Sequence, residues 1–246
     1  MNNLIISDEE LADNPTARVP ICILLDVSRS MDGEPIKELN KGVKMFIDEI
    51  IKDDMTRFSA DISILTFGGI VKHVFDFGRI EEQEVPEFRA TSTTPMAEAV
   101  LQALNLLEGR KQSYKQNGVD YFQPWIVLMT DGGPTDDIDV INEATSKTRE
   151  LINKKKLALF SIGIGNHADM GFLETFGAPP IKLKGLKFSE FFQWLSQSVS
   201  TVSDSMPGDK IQLPPREGWD ALSYCLLYTS DAADDLLCVD LGGRRI

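Results

Sequence analysis

The 246-residue sequence contains little that would cross-link the chain, bind zinc or enter a membrane. Only three cysteines are present, and Cys22 alone lies in the body of the chain, so neither a disulfide framework nor a zinc-ligand spacing exists. No uninterrupted apolar run reaches about 18 residues, and the opening MNNLIISDEELADNP lacks a basic leader. These features predict a cytoplasmic protein without a membrane partner.

Positive charge and histidine are also scarce. Lys and Arg number 25 against 38 Asp and Glu, giving a formal charge of -13. Nucleic-acid binders normally concentrate basic residues on one face, so we expect no nucleic-acid partner. The two histidines, His73 and His167, lie in separate segments.

Gly163-x-Gly165 lacks the third glycine of a dinucleotide fingerprint, which argues against nucleotide binding.

What the chain does contain is a series of buried strands alternating with amphipathic helices. Apolar runs typical of strands occupy residues 19–25, 61–67, 71–77, 125–129, 157–164 and 181–183. Helical periodicity occurs at residues 35–52, 96–107, 137–156, 170–176 and 188–202. The runs 61–67 and 71–77 flank Gly68-Gly69 as a hairpin would. The pattern predicts an α/β, doubly wound, mostly parallel sheet with one antiparallel edge strand and helices on both faces.

Four segments follow from this pattern. They are an N-terminal extension (1–15), one domain (16–203), an extended segment (204–220) and a tail (221–246). Within the tail, CLLYTSDAAD resembles a conceptual translation of a transposase mosaic-end sequencing adapter. We therefore interpret residues 221–246 as non-native.

Oxygen-bearing side chains follow two of the predicted strands and precede one helix. Asp26, Ser28 and Ser30 follow the first strand, Thr94 precedes a helix, and Asp131 ends the strand at 125–129. In open α/β sheets the carboxyl edge is where ligands bind. Magnesium prefers near-octahedral oxygen coordination, which hydroxyls and one or two carboxylates provide. Asp136 and Asp137, close by, are interpreted as a solvated loop residue and a helix cap, outside the site.

The spaced set Asp26-x-Ser28-x-Ser30, Thr94-Pro95 and Thr130-Asp131-Gly132 resembles the metal-ion-dependent adhesion site of von Willebrand factor A-type (vWA) domains. GEPIKELNKG, TDGGPTDD and FFQWLSQSVS are further similar to bacterial TerY-like proteins of tellurium-resistance and stress-response systems. The resemblance implies a vWA/Rossmann-like fold. It also implies a metal bound by the serine and threonine hydroxyls, with the aspartates bound directly or through water, and a partner carboxylate completing the shell.

Two positions depart from that family pattern. Arg29 stands where glycine is common, and Ser92-Thr93 replace the usual Gly-Gly, so Thr93 is an alternative ligand to Thr94.

The expected metal is Mg²⁺, with Ca²⁺ or Mn²⁺ as alternatives. We expect a metal-dependent protein–protein interaction module, not an enzyme, whose protein partner offers an Asp or Glu carboxylate. The alternatives are a magnesium-dependent phosphoester hydrolase, for which Arg29 is the one evident phosphate-holding cation, and a metal-free scaffold.

Overall fold

The computed structural model describes residues 10–11 and 14–216, together with the backbone of residues 226–228. The main strands are β1 (Val19–Asp26), β2 (Ala60–Gly68), β3 (Ile70–Phe75), β4 (Trp125–Thr130), β5 (Ala158–Ile164) and β6 (Ile181–Leu183). They form one sheet in the order β3-β2-β1-β4-β5-β6. Every neighbouring pair is parallel except β2 and β3, which are antiparallel. The predicted sheet with one antiparallel edge strand is confirmed.

Within residues 14–216, six α-helices surround this sheet. They are α1 (Glu34–Lys52), α2 (Asp54–Ser59), α3 (Met96–Asn117), α4 (Ile138–Asn153), α5 (Met170–Glu174) and α6 (Phe188–Ser203). None of the helices in the described ranges is long and apolar enough to span a bilayer. The short helix α2 lies outside the predicted pattern, because its six residues are too few to show a helical period. Asp53 caps α2 by accepting a hydrogen bond from the backbone N–H of Thr56 at 2.8 Å.

Helices cover both faces of the sheet, which explains why every residue of β1 is buried. Side chains of a strand alternate between faces. Ile21 and Ile23 accordingly pack into the apolar cluster that contains residues of α1 and α6. Cys22 and Leu24 pack into the cluster formed with α3 and α4 on the other face. Burial continues beyond β1 through Ser28, and Arg29 and Ser30 are the first exposed residues after the strand.

Helix α3 is ten residues longer than the apolar pattern predicts, since the expected end at Leu107 becomes Asn117. Its second half is anchored by polar groups. Arg110 and Tyr114 are fully buried, and both donate hydrogen bonds to the carboxylate of Asp61. A charged residue on an inward face hides the period that apolar residues would show, so the sequence pattern ends too early.

Helix α6 and the segment after it pack together more closely than the sequence pattern indicates. Trp194 of α6 is buried between Phe160 and Phe191, and its Nε1 donates to the Pro214 carbonyl at 2.9 Å. The following segment is extended, but Ile211 and Leu213 are buried in the core cluster.

The two predicted end segments, residues 1–15 and 221–246, fall largely outside the described residues. Of the extension at 1–15, the structure describes only residues 10–11 and 14–15. Of the tail at 221–246, it describes only the backbone of β8 (Leu226–Tyr228), which pairs antiparallel with β7 (Lys210–Gln212). The adapter interpretation of the tail therefore stays a prediction.

Candidate metal centre

Three loops meet at the carboxyl edge of the sheet. Strands β1 and β4 are adjacent and parallel, with Leu25 opposite Met129, so both end at the same edge. The loop at residues 91–95 lies beside them, because the N–H of Thr91 donates to the Val27 carbonyl at 2.7 Å. The polar residues that follow β1 and β4 and precede α3 are thereby brought together.

A continuous hydrogen-bond network joins four of the five predicted site residues. The hydroxyl oxygens of Ser28 and Ser30 lie 3.0 Å apart, and the Ser30 hydroxyl donates to Asp131 Oδ1 at 2.7 Å. Asp26 accepts from the Ser28 backbone N–H at 2.7 Å through Oδ1, and from the Thr130 hydroxyl at 2.6 Å through Oδ2. Side chains about a hundred residues apart in sequence thus share one small volume.

The fifth residue, Thr94, is held beside the network by its backbone. Its N–H donates to the Thr135 hydroxyl at 3.0 Å, and its carbonyl accepts from the Thr135 N–H at 3.0 Å. Thr94 is buried, whereas Thr93 is exposed and its carbonyl accepts from the Gly69 N–H at 2.7 Å. The choice of Thr94 over Thr93 as the threonine ligand stays a prediction.

Gly68 ends β2 and Gly69 follows it, and the lack of side chains at both lets the β2–β3 turn pack directly against Val27 and Ser92. A Cβ on Gly68 would lie 2.6 Å from the Val27 carbonyl oxygen, and one on Gly69 would lie 2.8 Å from Ser92 Cβ. Ser92 itself adopts a positive φ of 33°, in the region that glycine occupies without strain. The serine that replaces the more usual glycine therefore keeps the loop conformation at a cost of about 1–2 kcal/mol.

Electrostatics at the edge are dominated by Asp26, which has no solvent exposure. Burial raises the pKa of its carboxyl to about 6, although hydrogen bonds from Ser28 and Thr130 oppose that rise. The negative charge of Asp131 raises the pKa further. A nearby cation would relieve both the desolvation of Asp26 and its repulsion with Asp131.

The donor set fits a hard divalent cation. It consists of two carboxylates and neutral hydroxyls from Ser28 and Ser30, all oxygen atoms. Oxygen sets of this kind suit magnesium, calcium and manganese, and they suit softer ions less well. Asp26 and Ser28 are buried, while Ser30 is exposed and Asp131 is half-buried, so the site opens to solvent on one side.

Three residues near the site were missed or misread from sequence. Thr130 orients Asp26, and Thr135 holds the backbone of Thr94. The interpretation of Asp136 as a solvated loop residue is wrong, because its carboxylate accepts from the N–H groups of Ala97 and Glu98 at 3.0 and 2.9 Å. It caps α3 from a loop 38 residues away, and no local sequence signal marks a cap at that separation.

Comparison with known proteins agrees with this architecture. The family model described as von Willebrand factor type A domain matches residues 21–196. The chain belongs to the vWA domain family. A curated relative, uncharacterized protein sll0103 of Synechocystis sp., is 25% identical to this vWA chain over 174 residues, which are 68% of this chain and 37% of that protein. The vWA chain therefore spans little more than a third of that relative.

Two solved structures share the vWA fold at low identity. The vWF domain of the type V pili tip protein Mfa5 from Porphyromonas gingivalis is 10% identical, with a TM-score of 0.60 over 78% of this chain and 98% of that one. Proximal thread matrix protein 1 from the mussel byssus was solved with zinc in its metal-ion-dependent adhesion site (MIDAS) motif. It is 16% identical, with a TM-score of 0.50 over 76% of this chain and 49% of that one. These likenesses establish the fold of the vWA domain.

Proposed function

We propose that this vWA domain is a metal-dependent protein–protein interaction module. The metal would be held by Asp26, Ser28, Ser30, Thr94 and Asp131. The observation that carries the proposal is the unbroken contact from Ser28 Oγ through Ser30 Oγ to Asp131 Oδ1, at 3.0 and 2.7 Å. Mg²⁺ is the proposed ion, with Ca²⁺ and Mn²⁺ as alternatives, because all three take oxygen ligands.

Each side chain has a distinct task in this proposal. Asp26 provides a buried negative charge whose orientation is fixed by two hydrogen bonds. Ser28 and Ser30 provide neutral oxygens, so the ion keeps positive charge in its inner shell when Asp26 or Asp131 binds it through water and not directly. Asp131 is half-buried directly after β4 and provides the second carboxylate.

The proposed ligand is an Asp or Glu carboxylate of a partner protein. A divalent ion bound by few charged ligands supplies a residual positive charge that attracts an incoming anion. Arg29 is exposed beside Ser30 and adds positive charge on the open side. The exposed Ser30 and Arg29 would therefore lie under the approaching partner.

The fold relatives support an adhesive role over a catalytic one. One is a pili tip protein, and another was solved with zinc in its MIDAS motif. The narrower TerY-like assignment, a role in tellurium resistance and a cytoplasmic location stay predictions from the sequence motifs. The hydrolase alternative would be favoured by phosphoester turnover that disappears in Asp26→Ala.

The test is affinity capture of interacting proteins from a native lysate on the immobilised full chain, once with Mg²⁺ and once with chelator. We expect wild type to retain an interacting protein only with Mg²⁺, and Ser30→Ala to retain none. Ser113→Ala, a serine of α3 remote from the network, is the matched control and should behave as wild type. Equal capture in chelator, or by Ser30→Ala, would contradict the mechanism.

A further inference from the structure

A polar cavity lies at the amino-terminal edge of the parallel strands β1 and β2, opposite the candidate metal centre. Its volume is about 210 Å³, and its lining includes Arg18, Arg57, Arg79, Glu10, Glu81 and Phe58. Arg18 directly precedes β1, while Arg57 and Phe58 lie in α2 directly before β2. The eight residues of β1 separate this cavity from the metal centre by about 25 Å. The cavity is therefore independent of that centre.

Among the described residues, several buried arginine nitrogens at this cavity have no hydrogen-bond acceptor. Arg18 is 2% exposed, and its Nη1 donates to the Phe58 carbonyl. Among the residues that the structure describes, Arg18 Nε and Arg57 Nε are buried without any hydrogen-bond acceptor. Arg110 donates a hydrogen bond from Nε to Asp61 at 2.6 Å. Neither of its Nη atoms has a hydrogen-bond acceptor among the same described residues.

Glu10 does not make up this deficit. Its carboxylate forms ion pairs with Arg18 Nη2 at 3.4 Å and with Arg110 Nη2 at 3.9 Å, but it accepts no hydrogen bond from Arg18 Nε or Arg57 Nε. Burial and the negative charge of Asp61 raise the pKa of Glu10. Unsatisfied buried donors are uncommon in native proteins and usually indicate a bound water or ion.

We propose that this cavity binds a phosphoryl oxyanion, either free phosphate or the phosphate group of a small molecule. A tetrahedral oxyanion offers several acceptor oxygens, and guanidinium groups bind such anions through parallel N–H donors. The cavity is smaller than the roughly 300–1,000 Å³ of sites for drug-sized ligands, so it suits a single phosphoryl group. This site goes beyond the proposed partner binding and does not depend on it.

One cavity arginine is already oriented for such a role. The Arg57 guanidinium carbon lies 4.7 Å from the centre of the Phe58 ring, a cation–π contact that restrains the plane of the group. Arg57 also pairs with Asp54 at 2.9 Å. A restrained guanidinium loses less conformational entropy when an anion binds.

The experiment is calorimetric titration of the full chain with inorganic phosphate and, separately, with glucose 6-phosphate. Chelator is present throughout, which removes any contribution from the metal centre, and NaCl keeps the ionic strength constant. We expect saturable binding of phosphate, weakened about tenfold by Arg57→Gln and by Arg79→Gln. Arg89→Gln, which removes an exposed charge outside the cavity, is the matched control.

Glu10→Gln gives a test of opposite sign. Removing a carboxylate that competes for Arg18 should tighten phosphate binding several-fold, because the like charge is lost. Binding of both probes would indicate a site open to attached groups, and binding of phosphate alone a closed one; both support the proposal. Absence of saturable binding by either probe would overturn it, as would equal weakening by Arg57→Gln and Arg89→Gln.

Discussion

Replacing Asp26 by asparagine should stabilise the metal-free domain while abolishing its response to metal. The side chain has no solvent exposure, and burial raises the pKa of the carboxyl from its ordinary 3.8 to about 6. That difference corresponds to about 3 kcal/mol by which folding disfavours the ionised form. The amide of the Asp26→Asn variant keeps an acceptor for the Ser28 N–H but loses the charge-assisted bond from Thr130. We therefore expect a net gain of about 1–3 kcal/mol.

The sign follows from the direction of the pKa change. The folded state holds the Asp26 proton more tightly than the unfolded state does, so this group favours folding fully below about pH 4. That contribution falls as pH rises from about 4 to about 6 and is absent above. The advantage of Asp26→Asn should accordingly be full at pH 7.5 and vanish near pH 4.

Thermal melts of wild type and Asp26→Asn, in chelator and in Mg²⁺, measure both effects. A gain of about 1–3 kcal/mol raises Tm by roughly 2–12 °C in a domain of this size. Ion at 100 times its Kd stabilises wild type by about 2.7 kcal/mol and should leave the variant unchanged. A variant that is less stable than wild type in chelator at pH 7.5 would show that the ionised Asp26 carboxylate does not destabilise the metal-free fold. A variant that gains as much from Mg²⁺ as wild type would show that the Asp26 carboxylate is not needed to bind the ion.

Other perturbations give separate expectations. Mg²⁺ affinity measured by calorimetry should fall as pH decreases below about 6, because Asp26 must lose its proton to bind metal; constant affinity down to pH 5 would be contrary. Asp136→Ala should lower the free energy of unfolding in urea by about 1–2 kcal/mol through loss of the α3 cap, and an unchanged midpoint would reject that role. Asp61→Asn should cost about 3–5 kcal/mol by removing the carboxylate 2.6 Å from the buried Arg110 guanidinium and leaving it only Glu10 at 3.9 Å, whereas Tyr114→Phe should cost about 1 kcal/mol. Equal costs for those two variants would contradict the charge argument.

Apolar periodicity was enough to predict the sheet and most helices. Buried parallel strands such as β1 are continuous apolar runs, and α1 shows its inward stripe directly in sequence. The pattern failed where polar groups are buried. The second half of α3 depends on Arg110 and Tyr114, which look like surface residues until Asp61 is placed beside them.

The convergence of Asp26, Ser28, Ser30 and Asp131 was predictable because these residues follow strand ends, which a parallel sheet necessarily brings to one edge. Its supporting contacts were not. The cap from Asp136 to α3 and the bonds from Thr135 to Thr94 join loops about 40 residues apart. Such pairings depend on the conformation of both loops at once, and neither loop carries a periodic signal.

The most direct test of the proposed metal centre is an anomalous difference map from a crystal soaked in Mn²⁺. We expect one strong peak within about 2.0–2.6 Å of the hydroxyl oxygens of Ser28 and Ser30, beside Asp26 and Asp131. A well-ordered crystal with these side chains in place and no peak between them would contradict the proposed metal centre.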